Sequence, residues 1–198
     1  MKPYSELNLL RVETDEETED RKGLFSFLFK RWVVRNFPKA KITVVIPNNT
    51  FQHTIKLCKA IRAEADLYIE PTTVINALYL DFTHRYLFTH KVKDLYKELT
   101  QYDYMFGDLV ISDPINNKIY TYPKEGVNKA IIECTLDKGK IETGELFLSE
   151  LYEITGRHLT VEDLLTRIWV NFIKDNEGHN IKAIRKLIKM MGKVPAAL

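Results

Sequence analysis

Asp108, Glu133 and Lys138 lie in two β-rich stretches of this chain, "GDLVISDP" and "IIECTLDKGK". Carboxylates on adjacent strands can hold a magnesium ion against a phosphate, with a lysine as the basic partner. The five histidines are the next candidates. His84 and His90 stand six residues apart in "FTHRYLFTHK", which on a helix is about 600° of rotation and sends the two rings to opposite sides. They do not share a metal ion unaided. Asp81 lies three residues before His84 and can share its face, but two ligands fall short of a zinc or iron site. His158 and His179 sit near helix starts in separate segments, without HExxH spacing. Glycine patterns that cradle nucleotide phosphates are absent, and so is the GxSxG of serine hydrolases. No metal or cofactor is expected, and the chain reads as more a binding protein than an enzyme.

In "IPNNTFQHTIK", His53 follows a strand and an asparagine turn at a helix entry, where free backbone N–H groups can hold a phosphate. This short stretch resembles the active-site entry of the histidine-containing phosphocarrier family. That family has arginine and proline after its histidine, whereas Thr54 and Ile55 stand here. The group that would hold the phosphoryl is missing, so phosphotransfer is not carried over. The strands bearing Asp108 and Glu133 resemble those of restriction-type nucleases. The triplet of glutamate, any residue and lysine is lacking, because Cys134 and Thr135 follow Glu133. A metal-dependent nuclease is therefore the third-ranked function.

The elements that must position these residues follow from periodicity. The β-branched run "ITVVIPNN" predicts a strand from Lys41, and Phe51, Ile55, Cys58 and Ile61 have helical spacing after it. "DLYIEP" then predicts a second short strand, closing a strand-helix-strand unit. Thr72 and Thr73 begin a long helix to about Tyr102, the expected spine, striped by Ile75, Leu78, Phe82, Tyr86, Phe88, Val92, Leu95 and Leu99. Residues 108–148 predict a four-strand antiparallel meander, its second turn at Asp-Lys-Gly-Lys. The C-terminal part is helical. Gly156 stops one helix; Thr160 and Asp163 form a capping box for the next, which runs to about Lys174. The last helix places Ile181, Ile184, Ile188 and Met191 on one face, and Lys182, Arg185, Lys186 and Lys189 on the other. The expected fold class is α+β, with a strand-helix-strand unit, a long central helix, a β-meander and a C-terminal helical hairpin. Its expected parts are an arm and docking segment (1–40), an α/β core with the meander (41–148) and a helical part of the same globule (149–198).

At 198 residues the chain can bury one core, and 45% hydrophobic with 28% charged residues is the composition of a folded protein. A net charge of +2 supplies no global field for nucleic acid or an anionic membrane, so such roles must come from local patches. Cys58 and Cys134 stand apart without CxxC spacing and are expected to be buried thiols in a reducing compartment. Acids occupy the place of a secretory apolar core near the N-terminus, and "GLFSFLF" is too short to cross a bilayer. The expected location is the cytoplasm, or a virion assembled there.

One segment stands out from this ordinary background. Six acids lie within 13–20, followed by seven bases and no acid within 21–41. The basic segment contains Phe25, Phe27, Phe29, Trp32 and Arg35, whose apolar members emerge on two sides of either a helix or a strand. Aromatics and arginine anchor protein interfaces, so these five are the expected contact with other protein subunits, in a homo- or hetero-oligomer. The reading is a structural or assembly subunit docked in a larger complex. Composition rich in Lys, Asn, Ile and Tyr suggests a bacteriophage virion component. The alternative is a nucleic-acid binder that uses Lys182, Arg185, Lys186 and Lys189.

Overall fold

In the computed structural model, which describes residues 3–9, 38–103, 109–113, 118–122, 128–178 and 180–192, the run "KAKITVVIP" forms strand β1 (Lys39–Pro47). Its side chains alternate with the pleat: Ile42, Val44 and Ile46 are buried, whereas Lys41, Thr43 and Val45 face outward. There follow α1 (Asn48–Ala65), α2 (Pro71–Thr89), α3 (Val92–Thr100), a hairpin of β2 (Leu109–Asp113) and β3 (Lys118–Tyr122), and strand β4 (Lys129–Asp137). Three more helices follow among the described residues: α4 (Lys138–Thr155), α5 (Val161–Asp175) and α6 (Asn180–Gly192). β1 pairs antiparallel with β4, with Ile42 opposite Cys134 and Val45 opposite Ile131. The fold is α+β, mostly helical, with the two-stranded antiparallel sheet β1-β4 beside the helices and β2-β3 paired separately.

α5 is the core helix. The Thr160 hydroxyl accepts from the Asp163 N–H, and the Asp163 carboxylate accepts from the Thr160 N–H, so the expected capping box is complete. Beyond it, Leu164 to Ile173 are all buried, because β1, α1, α2, α3 and α4 all pack around this helix. Trp169 is fully enclosed, and its indole N–H donates to Thr54 Oγ1 at 2.8 Å. Thr54 in turn donates to the Thr50 carbonyl, so both buried polar groups are satisfied within α1 and α5.

The expected spine over 72–102 is instead two helices. His90 adopts φ 48°, and its N–H donates to the Tyr86 carbonyl, which ends α2 before α3 begins at Val92. The apolar stripe steps by two residues between Tyr86 and Phe88, out of phase with a helix, and the break leaves Phe88 74% exposed. "DLYIEP" is not a strand. Asp66 turns left-handed at φ 51° to cap α1, Leu67 and Tyr68 face solvent, and Pro71 opens α2. β1 therefore has its partner in β4 rather than in a parallel neighbour.

The meander holds only in its first half. β2 and β3 form the predicted hairpin, but "DKGK" is a helix start, with Asp137 Oδ1 accepting from the Gly139 N–H at 2.9 Å. Ile141, Phe147, Leu148 and Leu151 then bury one face of α4, and Gly156 at φ 67° closes it as expected. α6 also differs in phase from the expectation. It buries Ala183, Ile184 and Leu187 against α1 and α2, leaving Ile181 exposed and Ile188 partly so.

Residues 3–9 form a strap over the start of α5. The Val161 N–H donates to the Tyr4 carbonyl at 2.7 Å, and the buried Tyr4 ring stacks on His158. The Ser5 hydroxyl donates to the fully buried Glu145 carboxylate, which also accepts from the Leu9 N–H. Residues 10–37 lie outside the described residues, and with them most of the expected arm and docking segment.

Candidate functional site

The side chains with the richest chemistry line a cleft of about 210 Å³ between α2, α3, α5 and α6. Leu78, Phe82, Leu99, Ile168, Phe172 and Met190 make its apolar wall. Asp81, Arg85, Glu98, Asp175 and Lys186 line it with charge. These charges largely answer one another. Arg85 forks onto Glu98 through Nη1 at 2.6 Å and Nη2 at 3.0 Å, while Nε lies 3.1 Å from Asp81. Burial lowers the Arg85 pKa, but Glu98 and Asp81 outweigh it and hold the guanidinium above its usual value. Asp175 accepts from Gln101 and Tyr102, tying the end of α3 to the end of α5. Lys186 sits over the Phe172 ring at 5.6 Å. Two buried polar atoms here, Asn171 Oδ1 and Arg85 Nε, have no hydrogen-bond partner among the described residues, while Asn171 Nδ2 donates to the Glu98 carbonyl. The arrangement fastens four helices together and presents no nucleophile with a base beside it.

A second cleft of about 250 Å³ runs between α1, the end of α5 and the turn into α6, with His53 and Lys56 beside Phe172, Asn176 and Gly178. His53 lies in the second turn of α1, because the helix starts already at Asn48; it is not at the anion-binding N–H groups of the helix entry. That placement corrects the phosphate-holding geometry expected from "IPNNTFQHTIK".

The nuclease-like set is not assembled among the described residues. Glu133 faces solvent on β4 and pairs with Lys41 at 2.7 Å, Lys138 lies in the first turn of α4, and Asp108 falls outside the described residues. No group of three His, Cys, Asp or Glu among the described residues could hold a metal ion. His84 stacks near Phe88, and His90 is the turn residue after α2, so each has a local role. Asp103 bridges Arg157 and the nearly buried Arg167, which binds the C-terminal end of α3 to α5. Cys58 and Cys134 are buried as expected, and burial pushes each thiol up to about 11.

The surfaces are the more informative part. Lys182, Arg185, Lys186 and Lys189 are all exposed on α6, as the nucleic-acid alternative requires. Phe25, Phe27, Phe29, Trp32 and Arg35 lie outside the described residues. The structure adds an apolar feature that sequence reasoning missed: Val45 and Ile131, directly opposite each other across β1 and β4, both point outward, and Ile131 is 75% exposed. A second one lies at the C-terminal ends of α2 and α4. These helices run parallel, with Tyr79 on Lys140, Phe82 on Phe147 and Tyr86 on Glu150, and they end in exposed Leu87, Phe88 and Ile154. No helix among the described residues is long and apolar enough to cross a membrane. No family model, curated protein or solved structure matches the chain.

Proposed function

We propose that this chain is a non-catalytic subunit that docks with other protein chains. The observation that supports this reading best is the outward apolar row Val45–Ile131 on a sheet whose other face is already filled by the core. Apolar side chains exposed side by side on a regular element offer surface that a partner would take out of water. Their placement agrees in kind with the aromatic-basic segment, in which Phe25, Phe27, Phe29, Trp32 and Arg35 are the proposed anchors. The test is the solution mass of the full chain by light scattering at low and moderate salt. A discrete multimer at both salts, weakened by Phe27→Asp, is expected. Truncation of residues 1–40 is a poor substitute, because residues 3–9 are held by Glu145 and Val161 and their loss would disturb the core.

The second reading is nucleic-acid binding through α6, favoured by its four exposed cations. It predicts an affinity for duplex DNA or RNA that falls steeply with salt and a shallower slope after charge reversal at Arg185 and Lys182. A monomer at both salts with that salt dependence replaces the docking reading by this one.

A further inference from the structure

We propose that the edge of β4 away from β1 is the docking surface for a second copy of this chain, which adds its own β4 antiparallel to form a continuous sheet β1-β4-β4-β1. The inference rests on the docking reading and names its partner. It starts from the ladder. The β1-β4 pairing is extended at one end by the Asn48 N–H on the Asn128 carbonyl, and at the other by the Lys138 N–H on the Pro38 carbonyl. In an antiparallel pair, hydrogen-bonded and non-hydrogen-bonded partners alternate. Even-numbered residues of β4 therefore bond to β1, and odd-numbered ones aim their N–H and C=O groups away from it. The Thr135 carbonyl shows this direction, for it accepts from Asn76 of α2 at 3.3 Å. Towards the other end of the strand, Lys129, Ile131 and Glu133 face an edge that carries no strand among the described residues.

The side chains of those same three residues select one register. A twofold axis through Ile131 sets Ile131 against Ile131 of the second copy, and Lys129 against Glu133 in both directions. The outer face then carries an unbroken apolar row: Val45, Ile131, Ile131 of the second copy and Val45 of the second copy. In the rows on either side of it Glu133 stands between Thr43, its cross-strand neighbour, and the incoming Lys129, and Lys41, its diagonal partner at 2.7 Å, remains in reach. Moving the axis to Glu133 would oppose like charges, and moving it to Ile132 would oppose Ile131 to Glu133. The Ile131-centred register alone among these matches apolar with apolar and cation with anion. It adds about six backbone hydrogen bonds, from the three pairs whose groups point outward.

An edge contact alone is small beside the roughly 1,200–2,000 Å² of a standard interface, so the dimer is expected to depend on concentration. The experiment is sedimentation equilibrium of the full chain from low-micromolar to near-millimolar concentration, on wild type, Lys129→Glu, Glu133→Lys and the Lys129→Glu/Glu133→Lys double variant. Each single variant opposes like charges twice and is expected to weaken the dimer roughly tenfold or more; the double variant is expected to recover most of the loss. Ile131→Cys under mild oxidation supplies an independent readout. Directly opposed residues fall within disulfide range, the native thiols are buried, and Thr43→Cys on β1 is the negative control. A covalent dimer of Ile131→Cys but not of Thr43→Cys, with charge-swap rescue, supports the pairing. A wild-type multimer indifferent to both charge variants and to the cysteine overturns this edge while leaving the docking reading in place. A wild-type monomer at every concentration overturns this dimer and restricts the docking reading to a partner other than a second copy. Slow amide exchange at Ile131 and Glu133 in such a monomer would assign the edge to a segment of the same chain.

Discussion

Gly144 of α4 packs against the Tyr79 side chain of α2, and it offers a test with a definite sign. A Cβ added there would collide with Tyr79 Oη and lie 3.2 Å from its Cζ, with Val161 Cγ2 at 3.5 Å. Tyr79 is fully buried, and its hydroxyl donates to the Lys140 carbonyl at 3.0 Å, so the ring cannot swing away freely. Gly144→Ala gains about 0.5–1 kcal/mol of helix propensity. Against this stand about 1–3 kcal/mol of overpacking and about 1 kcal/mol for the displaced hydrogen bond. The net expectation is a loss of about 1–3 kcal/mol. Tyr79→Phe removes the colliding oxygen and leaves only the tight contact to Cζ. Alone, it costs about 1 kcal/mol for the hydrogen bond. Combined with Gly144→Ala it lets the propensity gain through, so the double variant is expected to lie within about 1 kcal/mol of wild type and above Gly144→Ala. Urea unfolding monitored by Trp fluorescence reads all four proteins, with a constant m-value as the condition for comparing midpoints. The reasoning fails if the two penalties simply add, leaving the double variant the least stable of the set.

The buried thiols yield a kinetic expectation. With Cys58 and Cys134 pushed up to about 11 by burial, native protein at pH 8 is expected to react with iodoacetamide at least about a hundredfold more slowly than urea-unfolded protein, and equal rates would contradict the burial of both. Alkaline stability should follow the same groups. Burial also raises the Tyr79 and Tyr86 phenols, with Glu145 adding at Tyr79 and Glu150 at Tyr86. A group whose folded pKa is raised contributes stability that is complete below its unfolded value and is lost as pH rises towards the folded value. The melting temperature is thus expected to fall from about pH 9, where unfolded thiols ionise, and more steeply above about pH 10, where unfolded phenols follow. Tyr79→Phe should flatten the upper part of that fall; an unchanged slope would remove Tyr79 as its source.

The parts of the fold that were legible in the sequence are those whose signals are local. The Thr160/Asp163 capping box, the stop at Gly156, strand β1 and the β2-β3 hairpin all depend on residues within a few positions of one another. The misread parts depended on choosing between two local patterns. "IETGELFL" alternates well enough for a strand, yet Ile141, Phe147, Leu148 and Leu151 bury one helical face, and Asp137 caps the turn that looked like a hairpin. The break at His90 was encoded by the two-residue step from Tyr86 to Phe88, a phase slip outweighed by the length of the stripe around it. The partner of β1 could not be read locally, because β4 lies some eighty positions away and pairing at that separation leaves no periodic trace. Composition pointed to a virion component, but composition has no position in a fold and gives no residue to examine. The proposed anchors from Phe25 to Arg35 lie outside the described residues, so the apolar evidence for docking now comes from a different place.

That place was present in the sequence as an apparent excess. "VVI" at 44–46 and "AII" at 130–132 are short continuous apolar runs, of the kind strands show when both faces of a sheet are covered. In the structure one face of β1-β4 packs on the helices through Ile42, Val44, Ile46, Cys134 and Leu136, and the other carries Val45 and Ile131 in the open. An isolated two-stranded sheet with one solvated face would be expected to alternate apolar with polar throughout, as Lys41, Thr43, Glu133 and Thr135 do. The alternation fails at a single cross-strand pair, and on β4 it fails at the residue flanked two positions away on either side by a lysine and a glutamate. Apolar side chains at one register position, bracketed by opposite charges, form a self-complementary pattern only in an antiparallel arrangement about that position. The mismatch between a pattern written for two covered faces and a sheet with one is therefore what carries the docking reading from composition to a surface.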